Sequence, residues 1–165
     1  MNKSLAPVAH GLEVRTARSV ADLGSDWHNL STLRPPLRPD FLKTVEEARV
    51  NGIEPYYLSF FENARCVGCA NVYVAETDFA TFDQELPESA RRTIKAWFPD
   101  FMRFKVAECG FFTMIGEGLL SLDKSLESCL NGLDDELERI ARASDADFLL
   151  VRDVPMDKFE RYRAT

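Results

Sequence analysis

The stretch from Tyr56 to Val74, YYLSFFENARCVGCANVYV, constrains the fold more than any other part of the chain. Tyr56, Leu58 and Phe60 alternate with Tyr57, Ser59 and Phe61, the two-residue period of a strand. Glu62-Asn63-Ala64-Arg65 is polar, and Asn tolerates the left-handed backbone that a tight hairpin turn needs. Val67, Ala70, Val72 and Val74 then run back as a second strand. Both arms are rich in aromatic and β-branched residues, which places the hairpin inside a sheet.

The flanking segments supply helices and further strands. Met1–Gly11 reads as a flexible leader, and residues 12–165 as one domain that leaves open whether its C-terminal end is complete. Leu12–Thr16 alternates as a short strand. Ser19 is placed to cap a brief helix carrying Val20, Leu23, Trp27 and Leu30, which Gly24 weakens. Arg34-Pro35-Pro36-Leu37-Arg38-Pro39 lacks three backbone donors and is expected as a stiff surface loop. A helix follows from Pro39-Asp40 to about Val50, with Phe41, Leu42, Val45 and Ala48 on one stripe and Asn51-Gly52 ending it. Glu76–Pro87 is a polar connection long enough to suggest a functional or mobile loop.

Pro87–Trp97 is expected as a helix with Glu88 in its first turn and Arg91, Arg92 and Lys95 later, both in keeping with the helix dipole. Phe101–Cys109 alternates as a strand, and Phe111–Ile115 is a further short strand candidate. From Lys124 to Ala143, Leu126, Leu130, Leu133, Leu137 and Ile140 recur at steps of three and four, the signature of one buried helical stripe. The acidic opposite face reads as solvated. Asp147-Phe148-Leu149-Leu150-Val151 is a short continuous apolar run, expected as a strand buried on both faces with a parallel partner. Met156–Arg163 opens a last helix.

Composition narrows the function. A formal net charge of −7 argues against a general affinity for nucleic acid or an anionic membrane. No apolar run approaches the roughly 18 residues of a membrane span, and the leader has no signal-peptide core. A cytoplasmic location follows by default, with Cys66, Cys69, Cys109 and Cys129 reduced.

Few residues point to chemistry. Cys66-Val67-Gly68-Cys69 has a zinc-knuckle spacing, but on a regular strand positions three apart face opposite ways, so no metal site is expected. His10 and His28 lie beside no nucleophile motif. Glu108 ends one expected strand and Arg152-Asp153 ends another, and ligands of α/β sheets sit at such strand ends. Glu108 and Asp153 are therefore the candidate catalytic carboxylates, with Glu108 as a general base. The plainer alternative is that Glu108 caps the next segment or pairs with Arg103 or Arg152.

The element order is strand, two helices, hairpin, helix, strand, helix, buried strand, short helix. It resembles the GNAT-type N-acyltransferases, in their FemAB-like branch. The likeness is carried by the helix Phe41–Val50, by PYYLSFFENARCVGCANVYV, by FMRFKVAECG and by LDDELERIARASDADFLLVRDVP. It implies an α/β fold with a mixed, largely antiparallel central sheet, a hairpin and flanking helices. It also implies acyl transfer from acyl-CoA or acetyl-CoA to a small-molecule or carrier-bound amine, without a metal. In that family a glycine-containing loop opening a helix holds the pyrophosphate. Here Val151 is followed by Arg-Asp-Val-Pro-Met-Asp, without glycine, so no residue is assigned to the acyl-CoA and the chain resembles the family's N-terminal part.

Other readings are a non-catalytic module that binds a partner or dimerises on the same scaffold, and a small-ligand binding protein. An unfinished sheet after Asp147–Val151 predicts a homodimer or a partner chain.

Overall fold

The computed structural model describes residues 12–32, 34–48, 52–78, 87–111 and 116–163. Six strands form one mixed, mostly antiparallel sheet with helices against it: β1 (Leu12–Ala17), β2 (Ile53–Glu62), β3 (Arg65–Asp78), β4 (Arg103–Cys109), β5 (Leu119–Ser121) and β6 (Phe148–Val151). The helices are α1 (Ser25–Ser31), α2 (Pro39–Glu47), α3 (Glu88–Trp97), α4 (Leu126–Ser144) and α5 (Phe159–Arg163). The α/β class expected from sequence is therefore the one observed. The order across the sheet is β1-β2-β3-β4-β6, with β5 also paired to β3.

The hairpin forms where the alternation placed it. β2 and β3 pair antiparallel from Glu62↔Arg65 outward, and Asn63 and Ala64 take φ of 48° and 62°, the left-handed pair of a type I′ turn. The register slips between Phe60 and Phe61, where Phe60 pairs with Gly68 and Phe61 with Cys66, so Val67 is an extra residue.

That bulge changes the geometry of the cysteine pair. Cys66 faces Phe61 and Cys69 faces Ser59, two residues apart on β2 and so on one side of the sheet. Regular alternation would have set the two thiols on opposite sides; the inserted residue resets it. Cys66 spends its S–H on the Gly68 carbonyl oxygen at 3.4 Å.

Two layers of core cover the sheet. On one face α4 buries Leu126, Leu130, Leu133, Leu137 and Ile140 against Leu58, Phe60, Ala70, Val72 and Val74. The stripe read from the periodicity is the contact surface, and Glu127, Asp134, Asp135, Glu138 and Arg142 face water. On the other face Trp27, Leu37 and Leu42 pack on Tyr57, Cys69 and Leu120. Trp27 meets Tyr57 edge-on at 5.9 Å and donates its indole N–H to the Leu37 carbonyl oxygen at 2.9 Å.

Several expectations are corrected. Pro35–Leu37 is a 3-10 turn rather than a loop on the surface, and Leu37 is fully buried beneath Trp27. Ser19 does cap, its hydroxyl accepting from Ala21 N at 3.3 Å, but over a 3-10 turn Val20–Asp22 that breaks before Gly24 starts α1. α2 buries Leu42 alone and leaves Ala48 exposed; Val50 and Asn51 lie outside the described residues. α4 begins at Leu126, because Asp123–Ser125 turns as a 3-10 segment first, and α5 begins at Phe159 rather than Met156. β5 had no clear signal in sequence. The leader, most of the 76–87 connection and the strand expected over Phe111–Ile115 fall on residues 1–11, 79–86 and 112–115, outside those described; Phe111 itself is buried and belongs to no strand.

The largest correction concerns β6. It pairs parallel with β4, Val106↔Phe148 to Cys109↔Val151, through the α4 crossover, as expected. It is not buried on both faces: Phe148, Leu149 and Leu150 are exposed, because β6 ends the sheet and nothing among the described residues lies beyond it.

Candidate functional site

The site candidates converge where β4 and β6 end. β3 carries β4 along Val72–Asp78 and β5 along Gly68–Ala70, on one and the same edge. The chain leaves that edge after Cys109 and returns at Leu119, so Asn71 alone faces the gap. Asn71 closes it with three bonds: its N–H donates to Gly118 O at 2.9 Å, its carbonyl accepts from Gly110 N at 3.2 Å, and its side-chain Nδ2 donates to Gly110 O at 2.6 Å. Gly110 and Gly118 thus form the neck of an excursion. A Cβ on Gly118 would lie 2.8 Å from Gly110 Cα.

Beside the neck, both carboxylates singled out from sequence meet one arginine. Arg152 Nη1 donates to Glu108 Oε1 at 3.1 Å and its Nε to Asp153 Oδ2 at 3.1 Å. The pairing of Glu108 with Arg152 rather than Arg103 follows from β4 and β6 ending together, which sets Cys109 beside Val151. Asp153 takes a φ of 57° and accepts from Gly116 N at 3.1 Å, so it also pins the excursion. The Tyr73 hydroxyl donates to Glu108 from the adjoining strand; burial first, and then that bond, push its pKa up. Glu108 is buried, while the side chain of Asp153 keeps 22% of its surface open against 10% for Glu108.

A second carboxylate cluster was not visible in sequence. Glu117, buried between Gly116 and Gly118, accepts from Arg34 Nη1 at 2.6 Å, from Lys158 Nζ at 3.1 Å and from the Tyr162 hydroxyl at 2.7 Å. The only hint was a lone carboxylate between two glycines ahead of Leu119-Leu120. Burial, followed by the bond to Glu117, pushes the Tyr162 pKa up. Glu108, Glu117 and Asp153 are balanced by Arg34, Arg152 and Lys158, so the cluster as a whole is neutral, as burial of charge requires.

The other candidates do not join it. His28 sits exposed on α1, its Nδ1 donating to Gly24 O at 3.0 Å, and His10 lies outside the described residues. Burial raises the pKa of all four thiols, that of Cys129 to about 12, which lowers the share of nucleophilic thiolate at neutral pH. Among the described residues no group of three or more His, Cys, Asp or Glu is placed to hold a metal ion, and no helix is long and apolar enough to cross a membrane.

Among the described residues none is placed to hold a coenzyme A pyrophosphate. The 3-10 turn ahead of α4 carries Asp123 and the first turn of α4 carries Glu127, and the Ser125 hydroxyl between them donates to Glu62. α5 has five residues and no glycine before it. Arg34, Arg152 and Lys158 each already hold a carboxylate.

No protein-family model matches the chain, and no solved structure matches it. The chain is 38% identical over 125 residues to a Mycobacterium tuberculosis protein provisionally named 8-amino-7-oxononanoate synthase 2, in strain CDC 1551 / Oshkosh and equally in strain ATCC 25618 / H37Rv. The match takes in 74% of this chain and 16% of that protein. This chain therefore spans about a sixth of the length of the curated relatives it matches, and most of each relative lies outside the match.

Proposed function

We propose that the chain is an acyltransferase-like domain that serves transfer of an acyl group from a thioester to an amine. One observation carries the reading: Glu108 and Asp153 converge on Arg152 at the adjoining ends of β4 and β6. Strand ends of this kind are where open α/β sheets place their chemistry. The hairpin-led sheet with its α4 crossover supports it, being the arrangement that the resemblance to GNAT-type enzymes implies.

In such a transfer the amine nitrogen bonds to the acyl carbon, the carbon–sulfur bond breaks, and the amine loses a proton. Asp153 is the more open carboxylate and is the one an amine can reach; it takes that proton. Glu108 and Tyr73 hold Arg152, and through it Asp153, in place. No residue is assigned to the coenzyme end of the donor.

A second reading is a non-catalytic module on the same scaffold that binds a partner. It is favoured by the compensated charges of the cluster and by the exposed apolar edge of β6. Isothermal titration with acetyl-CoA and a long-chain acyl-CoA separates the two. Micromolar binding that Asp153→Asn leaves intact, with amine acylation lost, supports transfer. No heat with either thioester at about 100 μM protein overturns it and leaves the module.

A further inference from the structure

We infer that the free edge of β6 takes up an extended segment of a partner polypeptide, one that alternates apolar residues with lysine or arginine. Such docking needs only the sheet edge and the charge beside it, whether or not the chain transfers acyl groups.

The sheet has two ends, and they differ. On β1, Glu13 and Arg15 pair at 2.7 Å, and charged side chains are how natural proteins keep an edge from pairing. β6 is Phe-Leu-Leu-Val, with no charge, no proline and no bulge, and its first three residues are 43–50% exposed. In a ladder, alternate residues bond to the neighbouring strand. Arg152 N donates to Cys109 O at 3.2 Å, beside the pair Cys109↔Val151, so Phe148 and Leu150 bond inward to β4. The N–H and C=O groups of Leu149 and Val151 therefore point off the edge, where no strand among the described residues pairs. They offer the main-chain bonds by which a peptide strand is added to a sheet.

The charge of the added strand follows from an open hollow of about 500 Å³ that flanks β6, walled by the last turns of α4 and by Phe148 and Leu149. Three carboxylates line it, Glu138, Asp145 and Asp147, against one cation, Arg142. Arg142 is ion-paired with Glu138, and one oxygen of Asp147 accepts from Lys105 N at 2.8 Å. The carboxylate of Asp145, at the left-handed C-cap of α4, has no partner among the described residues. The Lys105 ammonium donates to Ser144 O at 2.9 Å; with it counted, the hollow is still net acidic. The carbonyl end of α4, the negative pole of a 19-residue helix, lies here as well.

A strand added to this edge meets both kinds of surface. Val151 packs with the α4 core, so Leu149 lies on the same face, and Phe148 and Leu150 lie on the other. The side chains of the added strand alternate in the same way. Those on the α4 face stand over the hollow, where lysine or arginine lays its methylene stem on Ala141 and Ala146 and sets its charge by Asp145 and Asp147. Those on the other face lie beside Phe148 and Leu150 and are apolar. A second β6 does not match: it carries no cation, and it brings further carboxylates to an acidic hollow.

Fluorescence anisotropy of labelled peptides with the full chain tests this. The probe is a peptide of about eight residues alternating lysine and valine, within the usual length of a strand. Its dissociation constant is expected in the micromolar range. Replacing its lysines by glutamate, or its valines by proline to remove main-chain donors, should weaken binding about tenfold or more. Hydrogen exchange should show the Leu149 amide gaining protection when the lysine peptide binds. Asp145→Asn keeps a residue that tolerates the left-handed cap and should weaken binding about threefold, with circular dichroism unchanged. Should that variant fail to fold, protection of Leu149 in the unaltered chain decides. No binding at about 100 μM overturns the inference, as does equal binding of the lysine and glutamate peptides. Binding of the proline peptide as tightly as the first, without protection at Leu149, also overturns it. So does a dimer of the free chain in sedimentation equilibrium that Leu149→Asp dissociates, which assigns the edge to a second copy.

Discussion

Tyr162 donates its hydroxyl to Glu117 Oε1 at 2.7 Å, joining the last helix to the start of β5 across 45 positions of sequence. Lys158 and Arg34 hold the other sides of the same buried carboxylate. Glu117 is thus the point at which the C-terminal helix, the segment before α2 and the excursion are tied. Glu117→Gln removes the charge that two cations share, and the cost is expected at about 2–4 kcal/mol, reduced because both cations are partly hydrated. Tyr162→Phe loses one bond to a charged acceptor and is expected to cost about 1–3 kcal/mol. Urea midpoints at constant slope measure both; equal, negligible losses would show that α5 is not anchored there.

Stability is expected to fall above about pH 10 through the tyrosines. Tyr57, Tyr73 and Tyr162 all have pKa values raised above the usual 10.0, in each case first by burial and then by a neighbouring glutamate. A raised folded-state pKa means that the neutral hydroxyl is favoured on folding. Its contribution is complete below the unfolded pKa near 10 and is lost as pH climbs toward the folded value. Absorbance of phenolate during alkaline titration should show these three rings ionising together with unfolding. Full ionisation of all tyrosines near pH 10 with the fold intact would contradict it.

The four thiols are expected to be slow. Cys69, Cys109 and Cys129 are buried, Cys66 is half-buried, and burial is the first cause of each raised pKa. At neutral pH a disulfide reagent should label Cys66 before the others, and all four only in denaturant. The bulge at Val67 makes a metal test worthwhile, since Cys66 and Cys69 share a face. Stoichiometric zinc lost on Cys69→Ser would show that a further ligand joins them.

Two substitutions probe the packing. Leu133→Ala removes a buried side chain of α4 beneath the sheet, at an expected cost of about 2–5 kcal/mol. Gly118→Ala drives a methyl group against the backbone of Gly110 and Cys109, which cannot rotate away, and should cost about 3 kcal/mol or more. Hydrogen exchange locates the second effect. Asn71 and Gly110 amides should lose protection while α4 keeps it.

What the sequence by itself determined is local. The hairpin, its turn at Asn63-Ala64 and the stripe of α4 follow from contacts between residues two, three or four positions apart, so periodicity and turn chemistry contain them. The parallel partner of β6 was legible for a related reason: a strand, a crossover helix and a strand have essentially one way to pack. Tertiary structure decided the rest. Arg152 reaches Glu108 from 44 positions away, and Arg34 reaches Glu117 from 83, separations over which no local pattern carries information. One inserted residue at Val67 turned two cysteines onto the same face, because strand alternation has no memory once a bulge resets it. The apolar run Phe148–Val151 reads the same whether the next strand is present or not. Its exposure depends on what lies beyond the sheet edge, which is a property of the assembled fold and not of those four residues.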